Sequence, residues 1–502
     1  MGRAARAVRA RRTVLLGWAL GSVALAAEIQ GVVLENASGR PLARAEVTVE
    51  RIRGGGGTDH QRTWSDPRGR FLFSGLPAGA YLVSARRQGY LRARYGQRSW
   101  DGAGVPIVLD EDSQFFAEIR LARPGVITGR VLDENGVGMP GHAVYAFRAG
   151  GRPVRVVGAA LTDDRGVYRL TGLEPGAYYV RTGPRQLEDG RGLLPTFYRQ
   201  STVLAEARAV SVELDSETQD VDIEPLPGKL VKLTGRLTAA PATVTLYGDA
   251  WHREAQVGLD GAFQFDELAP GSYQLLALTA DRPLRVAWER VTVGEGGLET
   301  VLELAAPASL TVHCVERGGG KADAKRTNVF LHRQDPPGGD PLRVEGGTTV
   351  TLLPGIYGLG VSAPLDRYVA DLQGPRTALG PGLFEAPVRA ALEVTVVLGT
   401  RPGAVSGRVL DPDGNPVVGA PVFVRADDPV QQYLMDAARK ATRSDASGVY
   451  RIHGLAPGRY RIFSSFEVEQ PREQDWEKYG ASSVTVGEGE SVKLDLRLAG
   501  GM

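Results

Sequence analysis

The chain has one cysteine, Cys314, in 502 residues. No disulfide can close within it, and no zinc site can be built on paired cysteines. Histidine is nearly as sparse. His60, His142, His252, His313, His332 and His453 are scattered, without His-x-x-x-His, His-Glu-x-x-His or Cys-x-x-Cys spacing. A metal centre or a nucleophile–base pair would have to be assembled from distant stretches, so no catalytic residue, metal ligand or cofactor is expected. The formal net charge is only +1, so no global basic field points to nucleic acid. Beyond residue 27 no apolar run approaches the roughly 20 residues of a spanning helix, and no membrane span is expected in the mature chain. Helix-period stretches are almost absent as well. What is abundant is glycine (65) and proline (31), the composition of an all-β chain with many turns.

These turn residues are organised. Five times a leucine is followed by a Pro-Gly-type turn and then a tyrosine: Leu76 to Tyr81, Leu173 to Tyr178, Leu268 to Tyr273, Leu352 to Tyr357 and Leu455 to Tyr460. Proline presets φ and glycine tolerates unusual backbone angles, so each copy predicts a tight reversal between two strands. The five hinge tyrosines recur at intervals of 97, 95, 84 and 103 residues, the size of a small β-sandwich. Before each hinge comes a turn feeding an alternating strand, as in Asp66-Pro67-Arg68-Gly69-Arg70-Phe71 and Asp163-Asp164-Arg165-Gly166-Val167-Tyr168. The fourth copy replaces this turn with Glu345-Gly346-Gly347. Pro429 to Lys440 is the one stretch expected to form a short helix.

Residues 3–12 carry five arginines and no acid, and Thr13 to Ala27 is apolar, closing on Ala24, Ala26 and Ala27. This is the order of a secretory signal peptide, cleaved near Ala26 or Ala27. The expected organisation is a signal peptide (1–27) and five sandwiches: 28–123, 124–227, 228–307, 308–402 and 403–502. Pro124, Pro227, Pro307 and Pro402 each follow a closing strand and predict short, semi-rigid joints in an elongated array.

The pattern Gly-x-Val-x-Asp, turn, Ala-x-Val, Asp-x-x-Gly-x-Tyr/Phe, Leu-x-Pro-Gly-x-Tyr resembles the carboxypeptidase regulatory-like domain. The likeness is strongest in the second and fifth units, where residues 129–133 and 407–411 read identically, Gly-Arg-Val-Leu-Asp. It is good in the first unit, partial in the third and weak in the fourth. It implies a transthyretin-like, seven-stranded Greek-key sandwich related to the B-type repeats of collagen adhesins. It also implies an exported, non-catalytic module: accessory, adhesive or carbohydrate-binding-like. Some of those repeats carry an internal Lys–Asn or Lys–Asp bond. Asn36, Asn135, Asn328 and Asn415 lie on no closing strand, so the Lys–Asn form is not expected; a Lys–Asp form in the third or fifth unit stays open.

The motif residues specify turns and core, so ligand contacts must be sought elsewhere. Tyr95 with Trp100, Phe197 with Tyr198, and Trp476 with Tyr479 follow the hinge strands of the first, second and fifth units. Flat aromatics beside polar groups stack on sugars or anchor a protein; equally, they can plug the open end of a sandwich. The acidic runs Asp163-Asp164, Asp427-Asp428 and Asp110-Glu111-Asp112 lack a calcium-loop pattern and are expected to be turn residues. Cys314 is expected to be a small packing residue. The leading functional expectation is an exported, non-enzymatic binding or scaffold protein of the cell envelope, periplasmic, surface-borne or secreted. Its expected partner is a polysaccharide or an envelope protein, for the latter of which open sheet edges offer capture by strand addition. The alternatives are a carbohydrate-binding accessory protein and a hydrolase-associated regulatory module.

Overall fold

The computed structural model describes residues 27–500 except 53–58, 151–155, 239–241, 249–250, 321, 323, 381 and 437–439. The signal-peptide assignment therefore lies outside the described residues except for Ala27. That residue is fully buried and opens the first strand, Ala27–Glu35, opposite Leu76.

One topology recurs along the chain. In the first segment Ala27–Glu35 lies between Arg70–Leu76, antiparallel to it, and Gln114–Leu121, parallel to it. The facing sheet orders Asp59–Trp64, Glu46–Arg51 and Gly79–Arg86, with Ile107–Leu109 also pairing Gly79–Arg86. The third segment repeats it with three strands (Ala262–Leu268, Val231–Leu237, Leu298–Leu302) facing four (His252–Gln256, Ala242–Tyr247, Gly271–Thr279, Val286–Val293). Alternating side chains point between the sheets. They form five large buried clusters among the described residues, around Val33, Ile127, Leu233, Val312 and Val405. The architecture is all-β and sandwich-like, as the turn pattern predicts.

The signature residues explain the repetition. All five hinge tyrosines are buried, and each hydroxyl donates to the carbonyl four residues earlier. Tyr81 bonds Pro77 at 2.5 Å, Tyr178 bonds Glu174 at 2.6 Å, and Tyr273 bonds Ala269 at 2.6 Å. Tyr357 bonds Leu353 at 2.9 Å and Tyr460 bonds Ala456 at 2.6 Å. The ring thus fills core while its hydroxyl ties down the Pro-Gly turn. The aspartate of the preceding turn accepts from two backbone N–H groups: Asp66 from Arg68 and Arg70, Asp163 from Arg165 and Val167, Asp445 from Ser447 and Val449. The glycine of that turn is required. Gly166 has φ +75°, and a Cβ there would come within 2.7 Å of the Val131 carbonyl. The fourth segment lacks this turn and keeps only the hinge.

The array is not elongated. Asn36 and Arg123 bond Asp215 between the first and second segments. Gly192–Leu193 pairs with Pro227–Gly228, which places the expected second boundary inside a small sheet. Gln274 and Arg290 reach Asp335, joining third to fourth. The helix Pro429–Leu434 begins where Asp428 accepts from the Gln431 N–H. It sends Tyr433 to the Leu359 backbone and Leu434 into the fourth segment's core, while Met435 enters the fifth's. The last segment then returns to the first: Arg94 pairs with Glu469 at 2.5 Å across 375 residues. Side chains bridge the stretches around Pro124, Pro307 and Pro402, strand pairing holds the one at Pro227, and the chain of contacts closes on itself.

A candidate binding cleft where three segments meet

The stretch after the first hinge strand folds back along residues 91–103, and the stretch after the last hinge strand does so along 466–472. The two meet. The Ala103 N–H donates to Phe466 O at 3.1 Å, the Glu469 N–H to Asp101 O at 2.9 Å, and the Ser99 hydroxyl to Glu467 O at 2.8 Å. Ion pairs Arg94–Glu469, Arg98–Glu467 (3.2 Å) and Arg472–Asp101 (3.0 Å) surround these bonds. The Arg98 and Arg472 pairs are exposed and contribute little each, whereas the Arg94 side chain is largely buried, so reversing the charge of Glu469 opposes a guanidinium with little access to water. The backbone bonds and the packing of Val105 on the last segment's core carry more of the contact.

A cleft of about 580 Å³ opens beside this junction. The first segment supplies Arg92, Arg94, Gln97 and Trp100 to its walls, the second Arg148 and Glu174, the last Glu469, Pro471 and Arg472. Trp100 is half-buried; the Arg148 guanidinium sits 5.9 Å from its ring centre and also pairs with Glu174 at 2.5 Å. Further depressions of about 460 and 360 Å³ adjoin along the same stretch and share Arg92 and Arg94. Among the described residues, Arg92 makes one long hydrogen bond, 3.5 Å, to the Ser84 hydroxyl. Burial, and then the charge of Arg94, push its guanidinium below its ordinary pKa.

Of the other aromatics singled out from sequence, Tyr95 lines the adjoining depression of about 460 Å³ and the rest lie elsewhere. Tyr95 packs edge-on to Phe115, 5.4 Å between centres, against the first core. Phe197 is 4% exposed, packed against Phe147 and Tyr179 under the Arg181 guanidinium. Tyr198 is half-buried on the second core, beneath Arg199. Trp476 is 6% exposed and edge-on to Phe463 at 5.0 Å; Tyr479 stacks on the same ring at 5.6 Å. Phe197 and Trp476 have no free face for a ligand. Of the six, Trp100 is the one that lines the three-way cleft. Sequence reasoning missed Arg92, Arg94, Arg148 and Arg472. The Arg-rich run 92–98 was the available signal, but its partners are hundreds of residues away.

Among the acidic runs, Asp163 caps a turn, Asp428 caps a helix and Asp427 pairs with Arg459 at 3.2 Å. Cys314 is half-buried against the fourth core, which pushes its thiol pKa up. Lys232 meets Asp266 at 3.1 Å on the surface. Bonds from Gln264 and Lys232 hold that carboxyl below its usual range.

Residues 28–112 and 404–499 match the carboxypeptidase regulatory-like domain. The matched segments are thus the first and fifth; the second, where the motifs read strongest, is not matched. Its closing region carries the added small sheet with Gly192–Leu193. No curated protein matches the chain. Among solved structures it is similar to the minor pilin GBS52 of Streptococcus agalactiae, at 13% identity and TM-score 0.25, covering 40% of this chain and 95% of that one. It is also similar to the major pilin BcpA of Bacillus cereus, at 13% identity and TM-score 0.16, covering 75% and 99%. The pilus protein RrgB of Streptococcus pneumoniae follows at 9% identity and TM-score 0.16, covering 95% and 98%. Likeness this slight carries nothing about arrangement or ligand.

Proposed function

We propose that this is an exported, non-enzymatic binding scaffold of the cell envelope. Its five tandem sandwiches (28–123, 124–227, 228–307, 308–402 and 403–502) close into a circuit that frames the three-way cleft. The observation that carries this is the junction of residues 94–103 with 466–472, which creates a concave surface that no single segment contains. The signature supports a scaffold role, because its aspartates and tyrosines are bonded to backbone and serve the fold. Export follows from the basic-then-apolar start, with cleavage after Ala26, which leaves Ala27 to fill its buried place in the first strand.

Two measurements test this. Fractionation and N-terminal sequencing should find a mature chain beginning at Ala27 outside the cytoplasm; retention of residues 1–26 on a cytoplasmic chain refutes export. Small-angle scattering should show Glu469→Arg expanding the particle and Arg94→Glu with Glu469→Arg compacting it again. An unchanged profile for the single variant removes the junction as the frame of the site.

A carbohydrate ligand is the second reading, favoured by the half-buried Trp100 ring at the cleft wall. Binding of envelope polysaccharide that survives Trp100→Ala counts against it.

A further inference from the structure

The sheet face beside the cleft differs between the first and last segments. In the last, the cross-strand pair Phe423 and Phe463 is covered by Trp476 and Tyr479. In the first, the pair at the matching register from the hinge tyrosine is Thr48 and Ser84. Both line the smallest of the three adjoining depressions, together with Arg62, Arg86, Arg92 and Arg94. That polar face stays open and continues past Arg92 toward Trp100. The result is a trough, which suits a chain of linked units better than one small molecule. Eight arginines line the three depressions against six carboxylates. The carboxylates are mostly engaged: Glu46 with Arg62 and Arg86, Glu469 with Arg94, Glu174 with Arg148, Asp101 with Arg472. Arg92, common to all three, makes no ion pair among the described residues, while Glu469 and Glu50 attract it from further off. The trough therefore presents at its centre a guanidinium that no carboxylate among the described residues contacts directly, and an aromatic ring at one end.

We infer that the trough binds an acidic polysaccharide, with Arg92 pairing a sugar carboxylate and Trp100 stacking on a neighbouring ring. The inference rests on the carbohydrate reading of the cleft and adds the sign of the ligand's charge. A carboxylate suits Arg92 because guanidinium and carboxylate form paired, charge-assisted hydrogen bonds. The sugar's C–H face suits the indole for its flat apolar area. A polymer carrying charge alone would use the arginines and ignore Trp100.

The test is titration calorimetry of the full-length chain with three probes: oligogalacturonate, a neutral glucan oligomer of equal length, and poly-L-glutamate. Oligogalacturonate should bind and weaken with salt. Arg92→Ala and Trp100→Ala should each reduce its affinity by about tenfold. Arg92→Lys should recover part of the loss, and thermal melts of each variant should match the parent, separating lost contact from lost fold. Absence of oligogalacturonate binding overturns the inference, as does equal binding of poly-L-glutamate. Equal binding of the neutral glucan overturns the acidic class while leaving a carbohydrate site standing. Export and scaffold behaviour are read independently by the fractionation and scattering experiments above.

Discussion

Trp100 and Trp476 occupy comparable stretches, each after the hinge strand of its segment, yet one lines a cleft and the other is core. The difference lies in what the neighbouring strands offer. Phe423 and Phe463 give the last segment an apolar outer face, and burying Trp476 on it removes all three rings from water. Thr48 and Ser84 give the first segment a polar face that gains nothing from an indole lid. One fold therefore carries a closed sheet face at one end and an open one at the other, set by two residues on the sheet and not by the tryptophan.

The largest effect should come from removing the lid. Trp476→Ala is expected to cost about 3–5 kcal/mol, read as an earlier melting transition for the last segment in calorimetry of the full chain. Trp100→Ala should stay within about 1 kcal/mol of the parent, and equal losses would erase the contrast. Next, Thr48→Phe combined with Ser84→Phe should convert the first face to the last segment's type. The trough fills, polysaccharide binding falls, and the melting profile changes little. Retained binding would place the ligand elsewhere.

The hinges allow a finer comparison. The Tyr460 hydroxyl bond is buried and that of Tyr81 is partly solvated. Tyr460→Phe should cost about 1–2 kcal/mol and Tyr81→Phe about half as much, because an acceptor left in the dry interior cannot recruit water. Denaturant melts of the two variants measure this. The smallest effect concerns acid. Glu35, matching Asp411 in the last segment, accepts from the Ser38 hydroxyl, from Arg123 and from Tyr90, in that order of influence, and its pKa falls to about 2 from an ordinary 4.5. Its contribution is therefore complete above the ordinary value and is lost as pH falls toward the folded one. The first segment's melting temperature should decline over that interval, and Glu35→Gln should flatten the decline. An unchanged slope would show that these bonds do not hold the carboxylate.

Much of the fold was legible in sequence because its signature acts locally. Asp163 bonds residues two and four positions away, and each hinge hydroxyl reaches back four. Such spacings survive in the fourth segment even where its other turns are lost. The cleft was not legible. Arg94 and Glu469 look like surface charges until the chain closes, and nothing near Trp100 or Trp476 in the chain distinguishes them. The deciding residues, Thr48 with Ser84 and Phe423 with Phe463, pair across strands some 40 positions apart. The helix Pro429–Leu434 posed the same difficulty: the sequence marks a short helix there, but only the fold reveals that Tyr433 bonds the neighbouring segment.

Closure has one further consequence, for damage. In an open string, a single protease cut in any joint sets two fragments adrift. Here the contact between the first and last segments still fastens the halves to each other. A once-nicked molecule should therefore travel as one body in native chromatography and separate into two bands only in detergent, and a second nick at a different joint would be needed before anything is shed.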